Sequence, residues 1–303
     1  MHGAYGRGMD ERARDARAEV QDFLTSRRAR LSPEQAGLPA YGRFRRVPGL
    51  RREEVALLAG VSVDYYIRIE RGDLSRASDA VLGGIAMALQ LDEAETAHLF
   101  DLARGADRTS RAGSVARPRT VALRPGVLRM LDAIVDAPAI VRGGGFDYLG
   151  ANRLGRALYA PLFAHAVPNS LRFAFLDPAA RTFYREWDQV AQDLVATVRA
   201  EIGRHPADPM LAAIVTELSE CSEEFRTLWA AHNVRFHRTG IKRLHHPVVG
   251  DLDLTYEGLD LSADPGVMMA VYTAEPGSGT ADALRMLASW AATDEEERLR
   301  AER

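Results

Sequence analysis

The sequence predicts a helical N-terminal bundle followed by an α+β C-terminal domain within its 303 residues. Three observations predict this. Amphipathic helix patterns crowd into roughly the first hundred residues, with no strand-like alternation among them. Residues 104–119 are rich in Ser, Gly, Arg and Pro, hold almost no large apolar residue, and read as a linker. Beyond them, segments of helical period mix with short alternating segments bounded by Gly and Pro turns.

Composition narrows the function classes. At 47% hydrophobic residues the chain can bury two cores. No run approaches the apolar length needed to cross a bilayer, and the start, with Asp10, Glu11, Arg12 and Arg14, has no signal-peptide core. A cytoplasmic protein is expected. Cys221 is the only cysteine, which excludes an internal disulfide and a clustered-thiolate zinc site; it is expected to be a buried small apolar residue. Of 39 basic side chains only Lys242 is lysine. From Arg27 to Arg52 eight arginines face one acid, Glu34, a local balance of +7 in a chain of net charge -3. Residues 120–303 sum to -6. This asymmetry fits a nucleic-acid reader joined to a domain with another task.

Within the first part, residues 1–16 are polar and expected to fray. Residues 17–30 place Val20, Phe23 and Leu24 on one helical face, with arginines toward the C-terminal end that suit the dipole. Ser32-Pro33-Glu34 predicts a short helix, with Ser as N-cap and Pro in the first turn. Gly42 to Gly49 is a basic loop closed by Pro48-Gly49. Val55, Ala56, Leu58 and Ala59 then have helical spacing, Gly60 stops that helix at a left-handed position, and Ser62 caps a second one. In the second helix Tyr66, Ile67 and Ile69 face inward, while Asp64, Tyr65, Arg68 and Arg71 stay available, as a helix in a DNA major groove requires. Ala80–Leu91 and Asp92–Ala103 complete the bundle over 17–103. The basic block, including Arg45, Arg46, Arg51 and Arg52, is the footprint expected of phosphate contacts.

The order of a basic first helix, RREEVALLAGVSVDYYIRIERG and two closing helices resembles the phage-repressor-like (XRE-type) helix-turn-helix family. By that resemblance Arg52 would cap the first motif helix against a phosphate, and Ser62, Val63, Asp64, Tyr65 and Arg68 would face DNA. Physically, Arg68 can contact a guanine edge, Asp64 can accept from cytosine, and Val63 can touch a thymine methyl. The partners expected are a double-stranded operator and, as such modules read two half-sites, a second copy in a homodimer.

In the second part, Pro125–Asp136 reads as an amphipathic helix. Ala139–Val141 and Phe146–Leu149 form a hairpin about Gly143-Gly144-Gly145, and Asn152–Tyr159 is helical. Pro178–Arg204 predicts one long helix with Phe183, Trp187, Val190, Leu194, Val198 and Ile202 as its stripe. Pro209–Leu218 and Ser222–Ala231 follow. Strands are expected at Val248-Val249, at Leu252–Tyr256 and at Val267–Tyr272, with Asp264-Pro265-Gly266 as a turn. Ala281–Ala291 is the last helix, and 293–303 a charged tail.

The strings NSLRFAFLDP, FYREWD, WAAHNVRFH, HHPVVGDLDLTYEGL and MAVYTAEPGS resemble the ligand-binding domain of MmyB-like transcription regulators over 120–292. That resemblance implies a PAS-like sheet wrapped by helices, holding a small apolar ligand such as a fatty acid. The aromatics placed to line a cavity are Phe146, Tyr148, Phe173, Phe175, Phe183, Trp187, Trp229, Phe236, Tyr256 and Tyr272. A carboxylate head would need a cation or donor, for which Arg235, His237, His245 and Arg243 are candidates. Asn233 stands where the family more often has Asp.

No enzyme is expected, and no metal or cofactor. His232, His237, His245 and His246 lack the HExxH spacing of a zinc hydrolase, and no GxSxG elbow is present. The alternative to a sensor is a second domain that dimerises or recruits a protein without holding a ligand.

Overall fold

The computed structural model describes residues 3–39, 47–74, 77–111, 122–206, 208–235 and 239–301, with the side chains of 3–15, 106–111 and 294–301 left aside. The chain forms two compact units. The first comprises 1–116 with 196–208 and 229–236, and the second comprises 117–195, 209–228 and 237–303.

The first unit is helical: α1 (Gly3–Arg30), α2 (Arg52–Leu58), α3 (Val63–Glu70), α4 (Asp79–Ala88) and α5 (Glu93–Arg111). Residues expected to fray instead lie on α1 from Gly3 onward. The short helix expected after Ser32 is a single turn, in which Ser32 and Gln35 bond each other's backbone N–H and Gly37 reverses the chain at φ +73°. Helix α5 runs eight residues past Ala103 into the expected linker. Its start is tied by Asp92 and Glu95, each accepting from the other's backbone N–H.

Gly60 takes φ +67° after α2, a conformation costly for a residue with a Cβ. The Ser62 Oγ then accepts from Tyr65 N–H at 3.2 Å and starts α3. Phe23, Leu24, Leu50, Val55, Tyr66, Ile69, Leu82, Ile85 and Leu99 make the core. Beside it Glu70, 1% exposed, accepts from Thr25 Oγ1 (3.0 Å), Arg28 (2.9 Å) and Arg52 Nε (3.0 Å). These three bonds fasten α3 to both α1 and α2.

The second unit carries α6 (Pro125–Ala133), β1 (Ala139–Arg142), β2 (Tyr148–Ala151), α7 (Arg153–Leu158), α8 (Ala160–Phe163), α9 (Ser170–Leu176), α10 (Ala179–Phe183), α12 (Pro209–Cys221), α13 (Glu223–Ala230), β3 (Thr239–His246), β4 (Gly250–Asp260), β5 (Met268–Thr273) and α14 (Gly279–Ala301). Helix α11 (Trp187–Arg204) contributes residues up to Val195 to this unit and from Ala196 to the first, and Trp229-Ala230 of α13 likewise count with the first. The single long helix expected from Pro178 is two. Between α10 and α11 the chain extends, Tyr184 bridges to Leu244, and Arg185 N–H donates to the Arg243 carbonyl at 3.1 Å. Val248 and Val249, expected in a strand, sit in the turn joining β3 to β4. Helix α14 continues to Ala301 through the expected tail. Cys221, expected buried, is exposed.

The five strands form one antiparallel sheet in the order β2-β1-β5-β4-β3. Alternation sorts its faces. Ala139, Val141, Val267 and Met269 pack with Val127 and Leu131 of α6, whereas Ile140, Arg142, Met268, Ala270 and Tyr272 point to the other side.

Burial alone would raise the Glu70 pKa, but the bonds from Arg52 and Arg28 outweigh it and hold the group below the ordinary carboxylate value. Its contribution is therefore present above that ordinary value and is lost as pH falls through the folded one. Glu70→Ala should destabilise the first unit by about 3–5 kcal/mol at neutral pH, as breaking a buried ion pair does. Hydrogen exchange of the α3 amides, with the deficit shrinking in acid, checks both parts.

Candidate functional site

Two regions present chemistry beyond packing. On the first unit, α3 turns Tyr66 and Ile69 into the core and leaves Val63, Asp64, Arg68 and Arg71 outside. Arg68 is 53% exposed, pairs with Asp73 at 3.2 Å, and lies over the Tyr65 ring with its guanidinium 5.8 Å from the centroid. Ser62 is committed to its cap. Arg51, at the start of α2, is 43% exposed and 3.9 Å from Glu53. Arg52 donates to Glu70 through Nε and Nη2, with 43% of its side chain exposed. Arg45 and Arg46 lie outside the described residues. The exposed face of α3 is thus a row of one apolar, one acidic and two basic side chains on a rigid helix.

The second region is a cavity of about 50 Å³ inside the second unit. Its floor is the inner sheet face: Ile140 and Arg142 from β1, Met268, Ala270 and Tyr272 from β5, Tyr256 from β4 and Lys242 from β3. Tyr148, Tyr159, Ser170, Tyr184, Val190 and Leu194 close it. Cross-strand register sets neighbours side by side, with Ile140 opposite Ala270, Arg142 opposite Met268 and Tyr256 opposite Tyr272. Tyr159 donates to the Tyr272 hydroxyl at 3.0 Å, and Tyr256 to the Thr239 carbonyl at 3.1 Å. Arg142 stacks 4.0 Å over the Phe146 ring, and the Lys242 ammonium is 5.6 Å from the Tyr256 centroid. Burial pushes the Tyr148, Tyr159, Tyr184 and Tyr272 hydroxyls above their ordinary pKa, so all stay protonated donors. Burial, with Asp193 opposing and Arg142 adding to it, pushes Lys242 down to about 8. Apolar side chains, hydroxyls and two cations thus meet around one small cavity.

A family model described as the MmyB-like transcription regulator ligand binding domain matches residues 123–287, more than half of the chain, and a helix-turn-helix domain model matches 11–99. The chain belongs to the MmyB-like transcription regulators. It is a DNA-binding regulator with a ligand-binding C-terminal domain. No curated protein matches it.

In this MmyB-like domain the cavity takes three of the residues singled out from sequence, Tyr148, Tyr256 and Tyr272. Phe146, Phe173 and Phe183 are buried as packing. Phe175 sets its ring edge to Phe225 and Trp187, and Trp187 Nε1 donates to the Ala174 carbonyl at 2.8 Å. Trp229 lies in the first unit, 3.8 Å beneath Arg199, and Arg235 is exposed in that same unit. Phe236 and His237 lie outside the described residues. His245 pairs with Asp251 at 2.6 Å, and Arg243 with Glu186 at 2.7 Å, both on the outer sheet face. His246 is buried. Its Nδ1 accepts from Val248 N–H, which leaves Nε2 to donate to the Ala157 carbonyl at 3.0 Å, and burial lowers its pKa. Among the described residues no three His, Cys, Asp or Glu side chains group to hold a metal.

Sequence reasoning missed Lys242, Arg142, Tyr159 and Tyr184. Lys242 was within reach: it shares the period of Leu244 and His246, both buried, while Arg243 and His245 take the opposite phase.

With Lys242 depressed in the folded chain and ordinary when unfolded, the unfolded state holds the extra proton between pH 8 and the free value. Stability should therefore rise with pH across that window, by at most about 3 kcal/mol, and Lys242→Met should abolish the rise. The only lysine yields a single side-chain NMR titration, and a midpoint at the free value would contradict the placement.

Proposed function

We propose that this regulator reads an operator through α3 and responds to a small apolar molecule with an anionic head, of the fatty-acid class, held in the sheet cavity. What carries the reading is the pairing of Arg142 and Lys242 with tyrosine hydroxyls in an otherwise apolar enclosure, since a buried carboxylate needs charge-assisted donors. The antiparallel order β2-β1-β5-β4-β3, with helices closing one face, supports a PAS-like sensor. No helix of the described residues is long and apolar enough to cross a membrane, in keeping with a regulator acting in the cytoplasm. The protein works as a homodimer on a pseudo-palindromic site, two-fold symmetry matching two half-sites. The matched families are regulatory, which supports a non-enzymatic role.

Two measurements test this. Arg68→Ala should cost about 1–3 kcal/mol at the cognate operator and relax base preference, while Arg51→Ala should weaken all sequences alike and lower the salt slope by about 1; equal behaviour of the two variants in salt-titrated binding would remove the assigned roles. Decanoate should raise the melting temperature of the full-length protein and appear as an adduct in native mass spectra, and Arg142→Ala should weaken that binding about tenfold or more. A second unit that stays empty at millimolar decanoate would instead favour a dimerisation or protein-recruiting module.

A further inference from the structure

We propose that Lys242 is a covalent capture point, its amine forming a reversible imine with an apolar aldehyde that enters the sheet cavity. This rests on the reading of the cavity as the ligand site and adds the chemical group that meets its floor.

The first support is the choice of cation. Lys242 is the only lysine among 39 basic residues. Burial does not call for it, since the chain buries a guanidinium fully at Arg199 and places another, Arg142, in this same cavity. A carboxylate clamp would be served at least as well by a second arginine, whose planar fork binds carboxylates in bidentate fashion. What an amine can do and a guanidinium cannot is lose its proton and attack a carbonyl.

The second support is position. Lys242 is 8% exposed on β3, paired with Leu254 across the sheet. The cavity that it floors is walled on the α11 side by Val190 and Leu194, and across the sheet by Met268. At about 50 Å³ the cavity has room for the aldehyde end alone, so Val190, Leu194 and Met268 must move apart to take the rest of the chain. The charged groups that bear on the amine are Asp193 of α11 and Arg142 of β1. With the amine held to about 8, roughly a tenth of it is neutral at pH 7, on the order of a hundredfold more than for a free lysine.

The step balances without an added oxidant or reductant. The amine nitrogen bonds to the aldehyde carbon while one N–H hydrogen passes to the carbonyl oxygen. The C–O bond of the resulting carbinolamine then breaks, and water leaves with the second hydrogen. Hydrolysis reverses both steps, so occupancy follows the aldehyde concentration.

The test uses the full-length protein free of lysine-containing tags, decanal as probe and sodium cyanoborohydride to reduce any imine to a stable amine. Peptide mapping should find the decyl group at Lys242. Labelling there should be about tenfold or more faster in folded than in urea-unfolded protein, with added Nα-acetyl-lysine as reference. Lys242→Arg should lose only this adduct, and Lys242→Met serves if the arginine variant misfolds. Lys242 labelling no faster in the folded chain overturns the proposal. If that result comes with intact decanoate binding, the sensor reading stands alone; if neither decanal nor decanoate binds, both fall.

Discussion

Asn152 uses all the hydrogen-bonding capacity of its buried amide: Oδ1 accepts from Ala139 N–H (3.0 Å) and Gly155 N–H (2.7 Å), and Nδ2 donates to the Ile134 (2.6 Å) and Ala137 (2.8 Å) carbonyls. One side chain thereby ends α6, begins β1 and caps α7. The approach is so close that a Cβ on Gly155 would sit 2.5 Å from the Ala139 carbonyl oxygen, so only glycine lets α7 dock there. With α7 seated on β1, Tyr159 reaches across to Tyr272, and the Ala157 carbonyl meets His246. The roof of the cavity, its floor and the edge strand are referred to the same short helix.

The first unit solves a different problem, since its buried polar groups are charges. Glu70 has three donors on its carboxylate, so that the cost of desolvation is offset by charge-assisted bonds. Glu19 is held down to about 2 against burial, by His98 and Arg199. Arg199, fully buried, pairs with Glu19, donates to the Trp229 carbonyl and stacks on the Trp229 ring. The arginine-rich surface noted in the sequence is therefore partly spent inside: Arg27, buried, and Arg28, half-buried, are held in ion pairs, whereas Arg52, bonded to Glu70, keeps 43% of its side chain exposed.

How much of this was legible depended on whether the cause was local. Gly60 and Ser62 act within four residues of themselves, and the turn and cap stand where the sequence placed them. The supposed helix from Pro178 shows the opposite. Phe183 packs against Phe173 and Trp187 against Phe175, both at the expected helical spacing, yet Tyr184 between them is drawn out to pair with Leu244, sixty residues on. No local period reports a pairing of that kind. At the site the signal was local but outweighed. The clustered cations Arg243 and His245 attracted attention by density, whereas strand phase, a property of Leu244 and His246, decides that Lys242 is the one facing in.

The aromatics of the second unit divide by the presence of a hydroxyl. Phe146, Phe173, Phe183 and Phe225 are surrounded as core, each 3% exposed or less, while Tyr148, Tyr159, Tyr184, Tyr256 and Tyr272 all border the cavity. A phenyl ring can be closed in by aliphatic carbon on every side, but a phenol cannot without stranding its O–H at a cost of about 1–3 kcal/mol. The tyrosines therefore gather where polar atoms can meet, and their cluster marks out the cavity as firmly as its shape does. A pocket selected only for an alkyl chain would be served by Phe and Leu. With five phenol hydroxyls, the Ser170 hydroxyl, Arg142 and Lys242 in its lining, the cavity is more polar than an alkyl chain alone would call for.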